Sequence, residues 1–146
     1  MNVISNHLGQ LTFEEDQVIR FENGLLGFEQ LTRFLLMDFK EMSPFQWLIS
    51  IEEPMIAFAL LDPSYVVPSY TIKMSKESTD ERLKIHPESN KVYSIVNFAD
   101  RIPTINLRGP IVINERERYG VQLVLNDEKY SFKHRIDAVS VDMENV

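Results

Sequence analysis

The sequence predicts an all-β domain, a small antiparallel β-barrel-like or sandwich fold with one or two short helices. Three observations carry this expectation. About nine short alternating or densely apolar segments recur, with turn residues roughly every 8–12 positions. No stretch holds a 3.6-residue apolar period long enough for a long helix. The regular strand–helix alternation of a parallel α/β sheet is missing.

Gln17 to Phe21 alternates and reads as a strand. Glu22-Asn23-Gly24 breaks it, because Asn-Gly is a strong turn signal. Gly27 to Leu31 reads as a short helical turn before a strand from Phe34 to Phe39. Phe45 to Ile51 is the clearest strand: Phe45, Trp47, Ile49 and Ile51 share one face, and Gln46, Leu48 and Ser50 the other. Trp47, the single tryptophan, is read as core, and its truncation as costing about 3–5 kcal/mol. Ile56 to Leu61 is almost wholly apolar, as in a strand covered on both faces, and Asp62-Pro63 ends it.

Ser69 to Met74 reads as a further strand. Ser78 and Glu81 stand at capping-box spacing and open a short helix that Pro87 must end. Strands follow at Val92–Phe98, Ile102–Leu107, Pro110–Asn114, Val121–Leu125 and Tyr130–Ile136. Residues 1–138 are expected to form a single domain and 139–146 an acidic tail.

A chain of 146 residues can bury a core without metal or disulfide support. There is no cysteine, which excludes disulfides, thiolate catalysis and thiolate metal sites. No basic segment followed by an apolar one opens the chain, and no apolar run approaches the ~18 residues of a membrane span, so a cytoplasmic protein without membrane contact is expected. The formal charge of −7 argues against direct nucleic-acid binding, which needs clustered cations to neutralise phosphate. It suits solubility, or attraction of a basic partner.

Catalytic patterns are sparse. His7, His86 and His134 lie far apart. Gly24-Leu25-Leu26-Gly27 lacks the lysine of a phosphate loop and reads as a turn needing open backbone angles. Glu52, Glu53 and Asp62 flank one strand and could serve acid–base chemistry if burial separated their pKa values, but they sit at turns beside proline. No serine stands in a nucleophile-elbow context. No cofactor and no catalytic or metal site is expected.

Several stretches in register resemble the flagellar assembly factor FliW family. They are Ile19 to Glu29 with its Gly-Leu-Leu-Gly-Phe; Phe45 to Pro54 with Ala57-Phe58; Leu61-Asp62-Pro63; and Asn106 to Asn114 with Gln122 to Leu125. The match runs over residues 9–136. Ile49 departs from the family's usual glutamine, Arg108-Gly109 replaces a more apolar pair, and Phe132 to Ile136 matches loosely.

The resemblance implies a barrel-like fold, no enzymatic activity, and two partners: flagellin and the translational regulator CsrA. Free factor would bind CsrA and release the flagellin message, and excess flagellin would restore repression. Candidate partner-binding residues are Asn106, Arg108 and Asn114, with Glu52 and Glu53, and the chain is taken as a monomer. The competing readings are a structural or carbohydrate-binding β-module and a carboxylate-dependent hydrolase.

Overall fold

The computed structural model describes residues 2–5, 9–72, 85–86, 89–99 and 101–136. Its elements are β1 (Asn2–Ser5), β2 (Gly9–Thr12), β3 (Ile19–Arg20), β4 (Arg33–Met37), β5 (Gln46–Ser50), β6 (Ala57–Leu61), β7 (Lys91–Asn97), β8 (Thr104–Ile105), β9 (Ile111–Asn114), β10 (Tyr119–Gln122) and β11 (His134–Arg135). The helical elements among the described residues are single 3-10 turns at Glu15–Gln17, Lys40–Met42 and Pro63–Tyr65.

Seven strands close into a barrel in the order β7-β6-β5-β4-β3-β10-β9, and a second pairing returns β9 to β7. Closure works because β7 divides one edge between two partners: Lys91 to Tyr93 pair with β9, while Val96 and Asn97 pair with β8. β8 and then β11 extend outward from that edge, and β1–β2 form a separate hairpin. The barrel is mixed, because β3 and β10 run parallel through the pair Tyr119 and Arg20.

Side-chain alternation sorts the strands into an inner and an outer layer. Ile19, Phe21, Phe34, Leu48, Leu60, Tyr93, Ile111 and Ile113 fill the interior. Phe21 and Phe34 meet edge to face at 5.3 Å, and Phe28 meets Phe58 in the same way at 5.2 Å. Gly120 faces this interior beneath the Phe21 ring; a Cβ there would overlap the ring carbons. Outside the barrel, Leu11, Phe13 and Val18 cover Leu35 and Ile49. Ala59, Leu61, Val96, Ile105, Leu107, Tyr130 and Ile136 form another outer cluster.

The expected β architecture holds, as a barrel. Several local readings change. Ser69 to Ile72 is irregular rather than extended in a sheet. Tyr70 packs against Tyr130 with ring centroids 4.6 Å apart, and its hydroxyl donates to the Leu107 carbonyl at 2.6 Å, so side-chain packing replaces strand pairing. Gly27 to Leu31 holds hydrogen-bonded turns without a helix: Phe28 N–H donates to the Leu25 carbonyl at 2.7 Å and Leu31 N–H to the Phe28 carbonyl at 3.1 Å. The strand expected at Val121–Leu125 sits earlier; beyond Gln122 the chain still bonds to Pro110 and Arg108 through Leu123 and Leu125 N–H. The helix expected from Ser78 and the tail from 139 lie outside the described residues.

Trp47 also differs. Its face is the barrel's outer one, and the interior belongs to Gln46, Leu48 and Ser50. The indole is half-buried between two outer clusters, with Nε1 donating to Met42 Sδ at 2.9 Å. Trp47→Ala is therefore expected to cost about 2 kcal/mol, below the ~3–5 for a fully buried aromatic. Urea titration checks this, and a loss above ~3 kcal/mol would mean the indole is more deeply enclosed than described.

Candidate functional site

The antiparallel registers place strand ends at two opposite mouths. One mouth gathers the ends of β4, β6 and β9 and the starts of β5 and β7. The other gathers the β5–β6 turn, the segment after β3, the β8–β9 connection and the end of β10.

At this second mouth the segments are tied by side chains. Gly24 (φ 65°) and Gly27 (φ 85°) adopt the left-handed backbone that the turn requires. Gln122 then links this turn to the β8–β9 connection. Its Oε1 accepts from Leu26 N–H at 2.8 Å, and its Nε2 donates to the Gly109 carbonyl at 2.9 Å. Asn106 Oδ1 accepts from Gly109 N–H at 2.8 Å. Glu22, Asn23, Leu26, Glu29 and Gln122 line a cavity of about 140 Å³ here. Leu26 and Val124 are exposed at 52% and 53%, an apolar offering beside this polar frame.

The five candidate residues divide between the mouths. Asn106 and Arg108 lie in the β8–β9 connection and Glu52 and Glu53 in the β5–β6 turn, all at the second mouth. Asn114 ends β9 at the first, buried, with Oδ1 accepting from Glu117 N–H at 3.0 Å. Arg108 Nε donates to the Leu125 carbonyl at 3.0 Å, and its guanidinium lies over Phe132, 5.4 Å from the ring centre. Glu52 Oε1 accepts from Thr32 and Arg33 N–H at 2.8 and 2.9 Å and so ties the β5–β6 turn to the start of β4. Glu53 is exposed. Asp62 Oδ1 caps the Pro63–Tyr65 turn through Ser64 N–H at 2.9 Å. Among the described residues, no three histidines or acids stand close enough to hold a metal. No described helix is long and apolar enough to cross a membrane.

The sequence reading missed Gln122 as the residue that joins two motifs, because its partners Leu26 and Gly109 lie 96 and 13 positions away. A lone glutamine at a strand end gives no such signal.

The model of the FliW protein family matches residues 2–136. The chain belongs to the FliW family. It is 34% identical over 139 residues to the flagellar assembly factor FliW of Thermosipho africanus, covering 93% of this chain and 96% of that one. It is 37% identical over 139 residues to the FliW of Caldanaerobacter subterraneus subsp. tengcongensis, covering 93% of each. A crystal structure of the flagellar assembly factor FliW superposes with a TM-score of 0.83 at 31% identity, over 97% of this chain and 100% of the other. FliW proteins are assembly factors, not enzymes, so Glu52 and Asp62 are read through the structural bonds they make.

Two FliW tyrosines carry a pH consequence. Burial first, then the Tyr130 phenol, pushes Tyr70 well above the ordinary tyrosine range. Burial first, then the charges of Glu115, Asp38 and Asp62, does the same to Tyr93. In the unfolded chain both ionise near pH ~10. Above that pH the unfolded state releases protons that the folded state keeps, so stability present at neutral pH falls as pH rises. Denaturant midpoints at pH 8 and 11 should show a decline that the double variant Tyr70→Phe/Tyr93→Phe reduces. An equal decline in both proteins would place its origin elsewhere.

Proposed function

We propose that this chain holds flagellin in the cytoplasm and, when free of it, binds the translational regulator CsrA and relieves its repression of flagellin translation. The observation that carries this reading is the match to flagellar assembly factors over nearly the whole chain. Two features agree with it. The net charge of −7 complements a basic RNA-binding regulator. The second mouth offers exposed Leu26 and Val124 beside Asn106 and Gln122, a surface suited to an amphipathic helix such as a terminal segment of unassembled flagellin.

Binding titrations with purified flagellin and CsrA test it. The CsrA on-rate should fall as salt rises while its off-rate changes less, because charge chiefly steers encounter. Flagellin binding, dominated by apolar burial, should tolerate salt, and Leu26→Asp combined with Val124→Asp should weaken it at least ~10-fold, as loss of a central apolar anchor does. Binding of neither protein at low salt would overturn the proposal. Collapse of flagellin binding alone in salt would reverse the two modes.

A further inference from the structure

The first mouth is open and chemically distinct from the second. Pro44, Gln46, Leu60, Asp62, Asn90, Lys91, Val92 and Tyr93 line a cavity of about 410 Å³ there. Acids surround it. Glu115 follows β9, Asp38 follows β4 and Asp62 follows β6, and the charges of all three bear on the Tyr93 phenol. The described cation of the lining is Lys91, and it is engaged with Glu115 at 3.4 Å. Of these described groups, that leaves the charges of Asp38 and Asp62 bearing on Tyr93 beside the cavity.

Two acceptors here have capacity for a donor. Asp62 uses Oδ1 for its cap, accepting from both Ser64 N–H and Ser64 Oγ, and Oδ2 takes part in neither bond. Gln46 Oε1 is buried without a hydrogen-bond partner. An orphaned buried acceptor is costly and calls for an explanation. Gln46 itself is among the residues that line the cavity.

We infer that this mouth is a socket for an arginine side chain presented by a basic protein partner. The guest must be cationic, because the rim is acidic. It must bring several donors in a fixed fork, because a carboxylate oxygen and an amide oxygen both await one; a guanidinium does this and an ammonium does so less well. It must also be slender and partly apolar, because Pro44, Leu60 and Val92 form part of the wall. The inference rests on the reading that the chain binds a basic regulator, and adds where that partner enters. It also separates the regulator's entry from the flagellin surface proposed at the opposite mouth.

The test titrates the isotopically labelled chain with argininamide and, in parallel, with its neutral isostere citrullinamide, by two-dimensional NMR. Argininamide should shift the Gln46 carboxamide, Asn90 and Lys91 signals saturably, and citrullinamide should not. Asp62→Asn retains a capping oxygen; together with Asp38→Asn it should weaken argininamide at least fivefold and raise the Kd for CsrA at least tenfold. If the double variant is destabilised, Asp38→Asn alone, at an exposed position, should still weaken both. Equal shifts with citrullinamide, or an unchanged Kd for CsrA in the folded variants, would overturn the socket. Failure of the unaltered chain to bind CsrA would overturn the functional reading instead, and the argininamide titration would still decide the socket.

Discussion

Phe21→Ala is expected to lower stability by about 3–5 kcal/mol, the cost of emptying a large aromatic site in a core that cannot collapse around the void. Phe21 is fully buried, sits edge to face on Phe34, and lies over Gly120. The barrel interior therefore depends on this ring from two strands at once. Chemical denaturation followed by far-ultraviolet circular dichroism measures the loss, and a value below ~1 kcal/mol would mean the neighbours repack freely. Gly120→Ala approaches the same ring from the other side and should cost about 1–3 kcal/mol by overpacking. The two positions share one space. Gly120→Ala combined with Phe21→Leu should then be less destabilised than the sum of the singles, with a coupling of ~0.5–3 kcal/mol.

Gly24→Ala should be the most damaging single methyl at the second mouth. Gly24 holds φ 65°, and its added Cβ would lie 2.6 Å from Glu29 Cα and 2.7 Å from Glu29 C. Those are backbone atoms and cannot swing aside. Left-handed strain costs an L-residue about 1–2 kcal/mol, and overlap with fixed atoms adds a comparable amount, so a loss of roughly 3 kcal/mol is expected. Gly27→Ala is the control: φ is 85°, yet nothing lies within 4 Å of its Cβ position. It should lose only the strain. Moving the Gly24 turn also displaces Leu26 from Gln122, so flagellin binding should weaken in the Gly24 variant more than in the Gly27 variant. Equal melting temperatures for the two would contradict this account.

The strands from β4 to β9 were legible because their alternation is strong and their turns carry Pro, Gly or Asp. Phe45 to Ile51 read as a strand at once, yet which face looked inward did not. Both faces are apolar at their centres, and Leu11 of β2, with Phe13 and Val18, covers Leu35 and Ile49 and so makes the Trp47 face an outer one. β2 is short and went unread. Tyr70 and Ile72 alternate like strand residues, but they pack on side chains from elsewhere in the chain instead of entering a ladder. For the candidate site, the glycine turn and the Asn106 segment were visible as motifs. Their adjacency was not, because it depends on how the barrel closes.

That closure has a simple arithmetic behind it. Neighbours that point alternately up and down can form a complete ring only when their number is even. This ring has seven members, so one adjacent pair must break the alternation, and β3 with β10 is that pair. The mismatch is narrow: one residue pair and the Arg20 N–H donating to the Arg118 carbonyl at 3.0 Å. Arg118 straddles it with φ 60°, its guanidinium donating to the carbonyls of Asp16, Gln17 and Glu115. Wherever alternation holds, one strand leaves the ring beside the point where its neighbour enters. Only at the mismatch do two strands leave side by side. The chain leaving β3 becomes the Gly24–Gly27 turn, while β10 ends on Gln122 and the chain leaving it carries Val124, so segments 96 residues apart come within one hydrogen bond. The fold's single break in alternation is thus what assembles its exposed apolar end.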